Sequence, residues 1–181
     1  MTAPVVDVPM QRCLDAMAWL EHHGVPGPWV RGQIAPLARP AGGGIGYAPG
    51  RNEFFDALFR LRMASMVTYP SIYTIDLTVA GCRAARLSVE RPAGQSATEE
   101  LHGAIRAVID GPMNRCLSAL IERYPKAMTR NKLSEHVVGY MPWVFDNALY
   151  FLEKYDLIER PTSRSVRVRA SSWLFLDGDS R

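Results

Sequence analysis

The chain has 181 residues, and its 21 Lys and Arg against 18 Asp and Glu give a net charge of +3. Hydrophobic residues make up 48% and charged residues 22%, which excludes a disordered or collagen-like chain and fits one large or two small domains. No apolar run reaches the roughly 20 residues that cross a bilayer, and the N-terminus lacks signal-peptide features, so we expect a cytoplasmic protein without a membrane partner.

The first half of the chain predicts helices followed by a hairpin. A helix is expected to follow Asp7, which can cap it, and to end at Gly24. A short helix in "WVRGQIAPL" precedes a Gly- and Pro-rich segment, residues 39–51, that is too rich in turn formers for regular structure. The helix "NEFFDALFRLRMASM" follows, with Asn52 as its cap. After Pro70 the apolar period changes to two, which predicts a hairpin of "SIYTIDLTV" and "CRAARLSVE".

The second half predicts the same kinds of element in the same order. Ser96 has capping-box spacing with the Glu three residues later, which predicts a linker helix at residues 93–111 that Gly111-Pro112 breaks. Helices are then expected in "MNRCLSALIERY", in "RNKLSEHVV" with Thr129 as its cap, and in "PWVFDNALYFLEKY", opened by Pro142. A hairpin of "DLIERP" and "SVRVRAS" and a short strand "WLFL" complete a mainly α, α+β chain.

Two pairs of segments indicate an internal repeat. "MQRCLDA" from Met10 and "MNRCLSA" from Met113 share five of seven residues at an offset of 103. "LFRLRMASMVTYP" from Leu58 and "LYFLEKYDLIERP" from Leu149 correspond at an offset of 91. Two amphipathic helices can share leucines by chance, but the Cys-Leu motif, the matching prolines and the following hairpins favour a repeat. The difference of 12 predicts insertions in the first copy, in "VPGP" or in the Gly-rich segment.

The second copy resembles the winged helix-turn-helix family of DNA-binding domains over residues 113–175, and the first copy resembles it more weakly over residues 10–90. The family's third helix carries a leucine, then Leu-Glu, then an apolar pair. Here those places are filled by Leu149, Leu152, Glu153, Leu157 and Ile158. Asp156 stands where the family often has Gly, and Asp tolerates a left-handed backbone.

The resemblance implies two tandem winged-helix domains joined by a linker helix. They would cover residues 1–92, with the insert at 39–51, and residues 112–181, with the linker at 93–111. The third helix would enter the major groove, and the second hairpin would form a basic wing. The DNA-binding residues implied for the second domain are Arg130, Asn131, Lys132, Trp143, Asn147, Tyr150, Arg164, Arg167 and Arg169. Arg51 and Arg60 are the contacts expected from the first domain.

The wing arginines also allow a structural interpretation. Arg167 and Arg169 point the same way in an extended strand and can reach phosphates, but such charges also protect an edge strand from aggregation.

In the first copy, the third-helix face that should be free carries two carboxylates and two aromatics, which favour a protein contact. These are Glu53, Phe55, Asp56 and Phe59.

The sequence therefore predicts sequence-specific binding of double-stranded DNA. The protein would be a prokaryotic, nucleoid-associated transcriptional regulator, or a replication or mobile-element factor. A homodimer or another protein partner would use the first domain or the linker helix. The alternative is a winged-helix accessory subunit of a chromosome-condensing complex, which binds protein rather than DNA.

No pattern typical of a catalytic centre is present, so neither an enzyme nor a cofactor is expected. The histidines lack metal-ligand spacing and are expected at the surface or at helix ends; they are His22, His23, His102 and His136. The cysteines form no CxxC pair, so no metal site is expected. They are interpreted as buried free thiols: Cys13, Cys82 and Cys116.

Overall fold

The computed structural model describes residues 5–38, 46–47, 51–86, 95–162, 165 and 167–175. Packing divides the chain into two compact units, Met1–Val108 together with Leu176–Arg181, and Ile109–Phe175. Helix predominates over two small antiparallel sheets, so the expected mainly α, α+β class is confirmed.

In the first unit, a long helix is followed by a strand and a short helix, a second long helix, two further strands and two more helices. The elements are α1 (Val8–His22), β1 (Trp29–Val30), α2 (Arg31–Ile34), α3 (Asn52–Met63), β2 (Val67–Thr68), β3 (Thr74–Leu77), α4 (Val79–Ala84) and α5 (Gln95–Arg106). The three strands pair antiparallel in the order β1-β3-β2, with Trp29 opposite Ile75 and Val67 opposite Leu77.

The second unit has the same arrangement up to its third strand and then ends in a 3₁₀ turn instead of two helices. Its elements are α6 (Gly111–Arg123), β4 (Met128–Thr129), α7 (Arg130–Ser134), a 3₁₀ turn (Glu135–Val137), α8 (Pro142–Lys154), β5 (Ile158–Glu159), β6 (Arg167–Ala170) and a second 3₁₀ turn (Ser172–Leu174). The strands pair antiparallel in the order β4-β6-β5, with Met128 opposite Val168 and Ile158 opposite Ala170.

The repeat is therefore present in the fold, and its insertions can be located. The offset between equivalent elements falls from 103 residues at α1 and α6 to 99 at β1 and β4 and 91 at β2 and β5. The first copy thus has four extra residues before β1 and eight more between α2 and β2. These segments contain "VPGP" and the Gly-rich stretch, so both predicted places of insertion are used.

Local signals also recur at equivalent positions. The carboxylates of Asp7 and Asp110 accept hydrogen bonds from the backbone N–H groups of Met10 and Met113, at 3.1 and 2.9 Å, with a proline in each first turn. After the long helices, Ser65 and Asp156 both have a φ of 55°, the left-handed conformation anticipated for Asp156. The buried core residues of the two units also occupy equivalent positions. The pairs are Cys13 and Cys116, Leu14 and Leu117, Ile34 and Leu133, Phe54 and Phe145, and Leu61 and Leu152, all buried.

The first predicted hairpin was wrong in its second strand. β3 instead pairs with β2, which precedes it, and the chain then forms α4. Thr78 caps α4 by accepting a hydrogen bond from Gly81 N–H at 3.1 Å. The expected inward alternation also fails, because Ile75 is buried whereas Tyr73 and Val79 are about 70% exposed.

Several helix ends also differ from the sequence predictions. Asn52 is the first residue of α3 rather than its cap, and α5 begins at Gln95, so Ser96 lies inside it. Gly111-Pro112 begins α6 instead of only ending the preceding helix, because Asp110 caps the new helix. The predicted strand "WLFL" contains a 3₁₀ turn. Thr129 caps α7 and Pro142 begins α8, as predicted.

Candidate nucleic-acid interface

α7, the turn after it and α8 form one edge of the second unit. Thr129 caps α7, Gly139 turns the chain with a φ of 95°, and Pro142 starts α8. Phe145, Ala148 and Leu152 direct one face of α8 into the core. The opposite face is exposed, as expected, and carries Trp143, Asp146, Asn147 and Tyr150.

The second hairpin brings basic residues to the same edge. In β6 the buried Val168 and Ala170 alternate with the exposed Arg167 and the partly exposed Arg169, so the two arginines share the outer face. Arg167 pairs with Thr129 across the sheet, which places it beside the first residue of α7. Arg164 lies outside the described residues.

Three of the basic residues form ion pairs within the unit. The Arg130 guanidinium contacts the Asp146 carboxylate. The Arg160 Nε and Nη2 atoms lie 2.9 and 2.6 Å from Glu153 Oε1, and Arg169 Nε lies 2.7 Å from Glu159 Oε1. The sequence analysis did not identify Glu153 and Glu159 as ion-pair partners of these arginines. The hairpin register could have revealed Glu159, because it stands directly opposite Arg169.

Other cations remain available for a partner. In the described part of the second unit, no carboxylate oxygen lies within 4 Å of Arg123, Lys126, Lys132 or Arg167, and all four are exposed. The exposed Asn131 lies between Arg130 and Lys132. Residues 109–175 contain ten Lys and Arg against seven Asp and Glu, whereas the rest of the chain has eleven of each. The whole net charge of +3 therefore belongs to the second unit.

A cleft of about 320 Å³ opens between α7 and the start of α8. Arg130, Asn131 and Asp146 contribute polar groups to its lining, and Tyr140 and Phe145 contribute aromatic rings. The Arg130 guanidinium also lies 5.6 Å from the centre of the Phe145 ring. The edge is thus both polar and aromatic, which suits the base edges and sugars of a groove as well as a protein surface.

The equivalent face of the first unit has different chemistry. Phe55, Phe59 and Met63 are exposed along α3, at 38%, 58% and 70%. Arg60 contacts Asp7, and its Nε lies 2.9 Å from Asp56 Oδ2, so it joins α3 to the start of α1. The hydrogen bond to Asp7 raises the pKa of Arg60 above its ordinary value. Any DNA contact by Arg60 would have to compete with these ion pairs.

Arg51 is exposed immediately before α3. Of the two contacts expected from the first domain, it is the one without an ion pair among the described residues. Arg51 therefore remains available to a partner at the start of this apolar helix face.

The cysteines and histidines have structural environments. Burial raises the pKa of Cys13 to about 12 and that of Cys116 to about 11, so both thiols stay protonated at neutral pH. Cys82 is exposed, which corrects the expectation that all three are buried. His23 lies at the end of α1, as expected, although it is buried, whereas His102 is buried within α5. The His23 ring stacks on Trp19, and its Nε2 lies 3.2 Å from Glu100 Oε2.

Within the described ranges, no three His, Cys, Asp or Glu side chains are grouped so as to hold a metal ion. None of the described helices combines the length and apolar composition that would span a membrane.

Comparison with protein-family models, curated proteins and solved structures returned no match. The function is therefore inferred from the chemistry of the two units.

Proposed function

We propose that the second unit is a winged-helix domain that binds double-stranded DNA. In this assignment α8 enters the major groove and the β5–β6 hairpin is the wing. The observation that carries the proposal is the shared edge: the exposed face of α8, the start of α7 and Arg167 adjoin one another in the unit that holds the net positive charge.

The exposed side chains divide into two roles. Lys132 and Arg167 would contact phosphates directly, and Arg169 would do so by exchanging its Glu159 partner for a phosphate. Such contacts supply most of the affinity and its salt dependence. Asn147 has the amide group that can bond both edge atoms of an adenine. Trp143 and Tyr150 flank it on α8 and would contact sugars or thymine methyl groups. A regulator of transcription, or a replication or mobile-element factor, would use such an interface.

Protein binding by the same edge is the second candidate, as in an accessory subunit of a chromosome-condensing complex. Trp143 is 62% exposed, and Val138 and Met141 in the segment before α8 are 74% and 64% exposed. Three ion pairs also reduce the positive charge of the edge. Patches of this kind commonly mark protein interfaces, so the experiment must separate the two candidates.

The test is the affinity of the full chain for duplex DNA across a salt series, measured by fluorescence anisotropy on random and selected sequences. The double variant Arg167→Ala/Arg169→Ala is expected to lower affinity about 10- to 100-fold and to reduce the salt slope by about two, since two phosphate contacts are lost. Asn147→Ala should instead reduce discrimination between sequences.

The matched control is Arg83→Ala/Arg86→Ala, which removes two exposed arginines from the first unit and should leave affinity within about twofold, because neither lies on the proposed interface. Absence of DNA binding at 50 mM salt would exclude the proposal and favour the protein-binding candidate. An equal loss of DNA affinity in the two double variants would show that DNA binding depends on overall positive charge and not on the proposed interface.

A further inference from the structure

The exposed face of α3 carries an apolar stripe, which the described residues leave exposed to solvent except where the Arg31 guanidinium lies over the Phe55 ring. Phe55, Phe59 and Met63 are spaced by four residues, so they lie one above another along the helix. They belong to a folded helix whose opposite face is already buried, through Phe54, Leu58 and Leu61. The stripe therefore adds nothing to the core of the first unit.

The second unit shows that the fold does not require this stripe. At the offset of 91, the equivalents of Phe55, Phe59 and Met63 are Asp146, Tyr150 and Lys154. The contact from the short helix changes in parallel. Arg130 at the start of α7 pairs with Asp146, whereas Arg31 at the start of α2 lies 5.0 Å from the centre of the Phe55 ring.

We propose that this stripe is the contact through which two copies of the chain associate, with their α3 helices antiparallel about a two-fold axis at Phe59. The stripe is symmetric about that residue, because an apolar side chain lies four positions before it and four positions after it. A two-fold axis there places Phe59 against its own copy and Phe55 against the second copy's Met63. A thioether beside an aromatic ring is a favourable contact.

The charges beside the stripe fit the same arrangement. Asp56 and Arg60 lie on the same side of the stripe. The two-fold axis at Phe59 brings position 56 of one copy opposite position 62 of the other copy. Position 62 is less than one helical turn from position 60. Each Asp56 then lies near the second copy's Arg60. The side chains of Asp56 and Arg60 are 63% and 37% exposed, so both can face a partner while keeping their own ion pair.

The exposed apolar area of the stripe indicates how stable the dimer should be. Side chains of about 200 Å² each, exposed at 38%, 58% and 70%, offer roughly 300 Å² of apolar surface per copy. The total of about 600 Å² is below the area of a standard stable interface, so we expect a weak dimer that dissociates on dilution. The proposal uses only the first unit and stands or falls independently of DNA binding.

The test is sedimentation equilibrium of the full chain between 1 and 200 μM. The wild-type chain should form a dimer, whereas Phe59→Glu and Phe59→Lys should each be monomeric, because each places two like charges at the axis. An equimolar mixture of the two variants should recover a dimer. Circular dichroism should show unchanged folding, since Phe59 is exposed.

The matched control is Tyr150→Glu at the equivalent position of the second unit, which should dimerise like the wild-type chain. A wild-type chain that is monomeric at 200 μM overturns the proposal and leaves the stripe to a different protein. Dimerisation of both single variants, or no recovery in their mixture, overturns it too, because Phe59 would then not meet its own copy.

Discussion

Asp156, two residues beyond the last residue of α8, combines an unusual backbone with an unusual carboxyl group. Its φ of 55° places it in the left-handed region. Burial, reinforced by the charge of Glu159, raises its pKa to about 6 from an ordinary value of 3.8. Between about pH 4 and 6 the folded chain binds a proton that the unfolded chain does not. The free energy of unfolding therefore decreases as the pH rises through this window.

Asp156→Asn is expected to stabilise the protein above pH 6, by about 1 kcal/mol at pH 7.5 after allowance for solvent screening. Asn keeps tolerance of the left-handed backbone and removes the charge. Below pH 4 the difference should shrink, since both states are then protonated. Urea denaturation at several pH values measures it. Ser65→Asn, at the equivalent position, is the control and should show no added pH dependence; a pH-independent gain from Asp156→Asn would contradict the assignment.

Glu153 and Glu159 hold Arg160 and Arg169 within the second unit. If the hairpin binds phosphates, Glu153→Gln/Glu159→Gln should tighten DNA binding about tenfold in 0.1 M salt, because two negative charges disappear and two guanidinium groups are released. Anisotropy with the same duplexes measures the change. Glu122→Gln, an exposed carboxylate on α6, should have a smaller effect, and unchanged or weaker binding by the double variant would count against a DNA-binding wing.

At the level of single residues, two of the four predicted caps, Asp7 and Thr129, are confirmed, since they act through their immediate sequence neighbours. The ion pairs were not predictable in the same way. Glu153 meets Arg160 only because the chain bends after α8, and Arg130 meets Asp146 only because α7 packs beside α8. Contacts of this kind depend on tertiary structure, which a linear pattern of charges does not specify.

α4 is the element that sequence periodicity misassigned. The alternating pattern of "SIYTIDLTV" continues into "AGCRAA", whose small residues are compatible with either a turn or a helix. The decisive contact is tertiary: a Cβ on Gly81 would lie 2.1 Å from the carbonyl oxygen of Met66. α4 thus lies directly against the backbone before β2, and only glycine permits that approach.

Gly81→Ala is therefore expected to destabilise the protein by about 2–4 kcal/mol, because backbone must move to admit the methyl group. Gly103→Ala on α5 is the matched control. A Cβ there would meet nothing within 4 Å, so the substitution should stabilise the chain by up to about 1 kcal/mol through helix propensity. Urea denaturation measures both, and a Gly81→Ala chain as stable as wild type would contradict the close packing of α4.

For the whole molecule, the repeat was the most reliable feature of the sequence. Equivalent helices, strands and insertions are all present in the fold, because apolar spacing and turn residues determine them locally. The linker was less predictable. α5 belongs to the first unit, where its Leu101 and Ile105 are fully buried, and Glu100 reaches His23 on α1. The apolar face of α5 indicated that this helix is buried, but it did not indicate which of the two units the helix packs against.

The two units share an architecture and differ in surface. The second carries the net positive charge and polar groups on the exposed face of α8, and the first is neutral with an apolar face on α3. We therefore propose a division of labour, in which the second unit binds DNA and the first unit binds another copy of the chain. Positions 59 and 150 are equivalent and solvent-exposed, so they permit a direct comparison within one scaffold.

The most direct test is photo-crosslinking with Phe59 or Tyr150 replaced, one at a time, by p-benzoylphenylalanine, in the presence of duplex DNA. The probe at position 150 should crosslink DNA, and the probe at position 59 should crosslink a second copy of the chain. Both side chains are aromatic and more than half exposed, so the replacements should preserve the fold. Crosslinks from position 150 to protein alone, or from position 59 to DNA, would contradict the proposed division of labour.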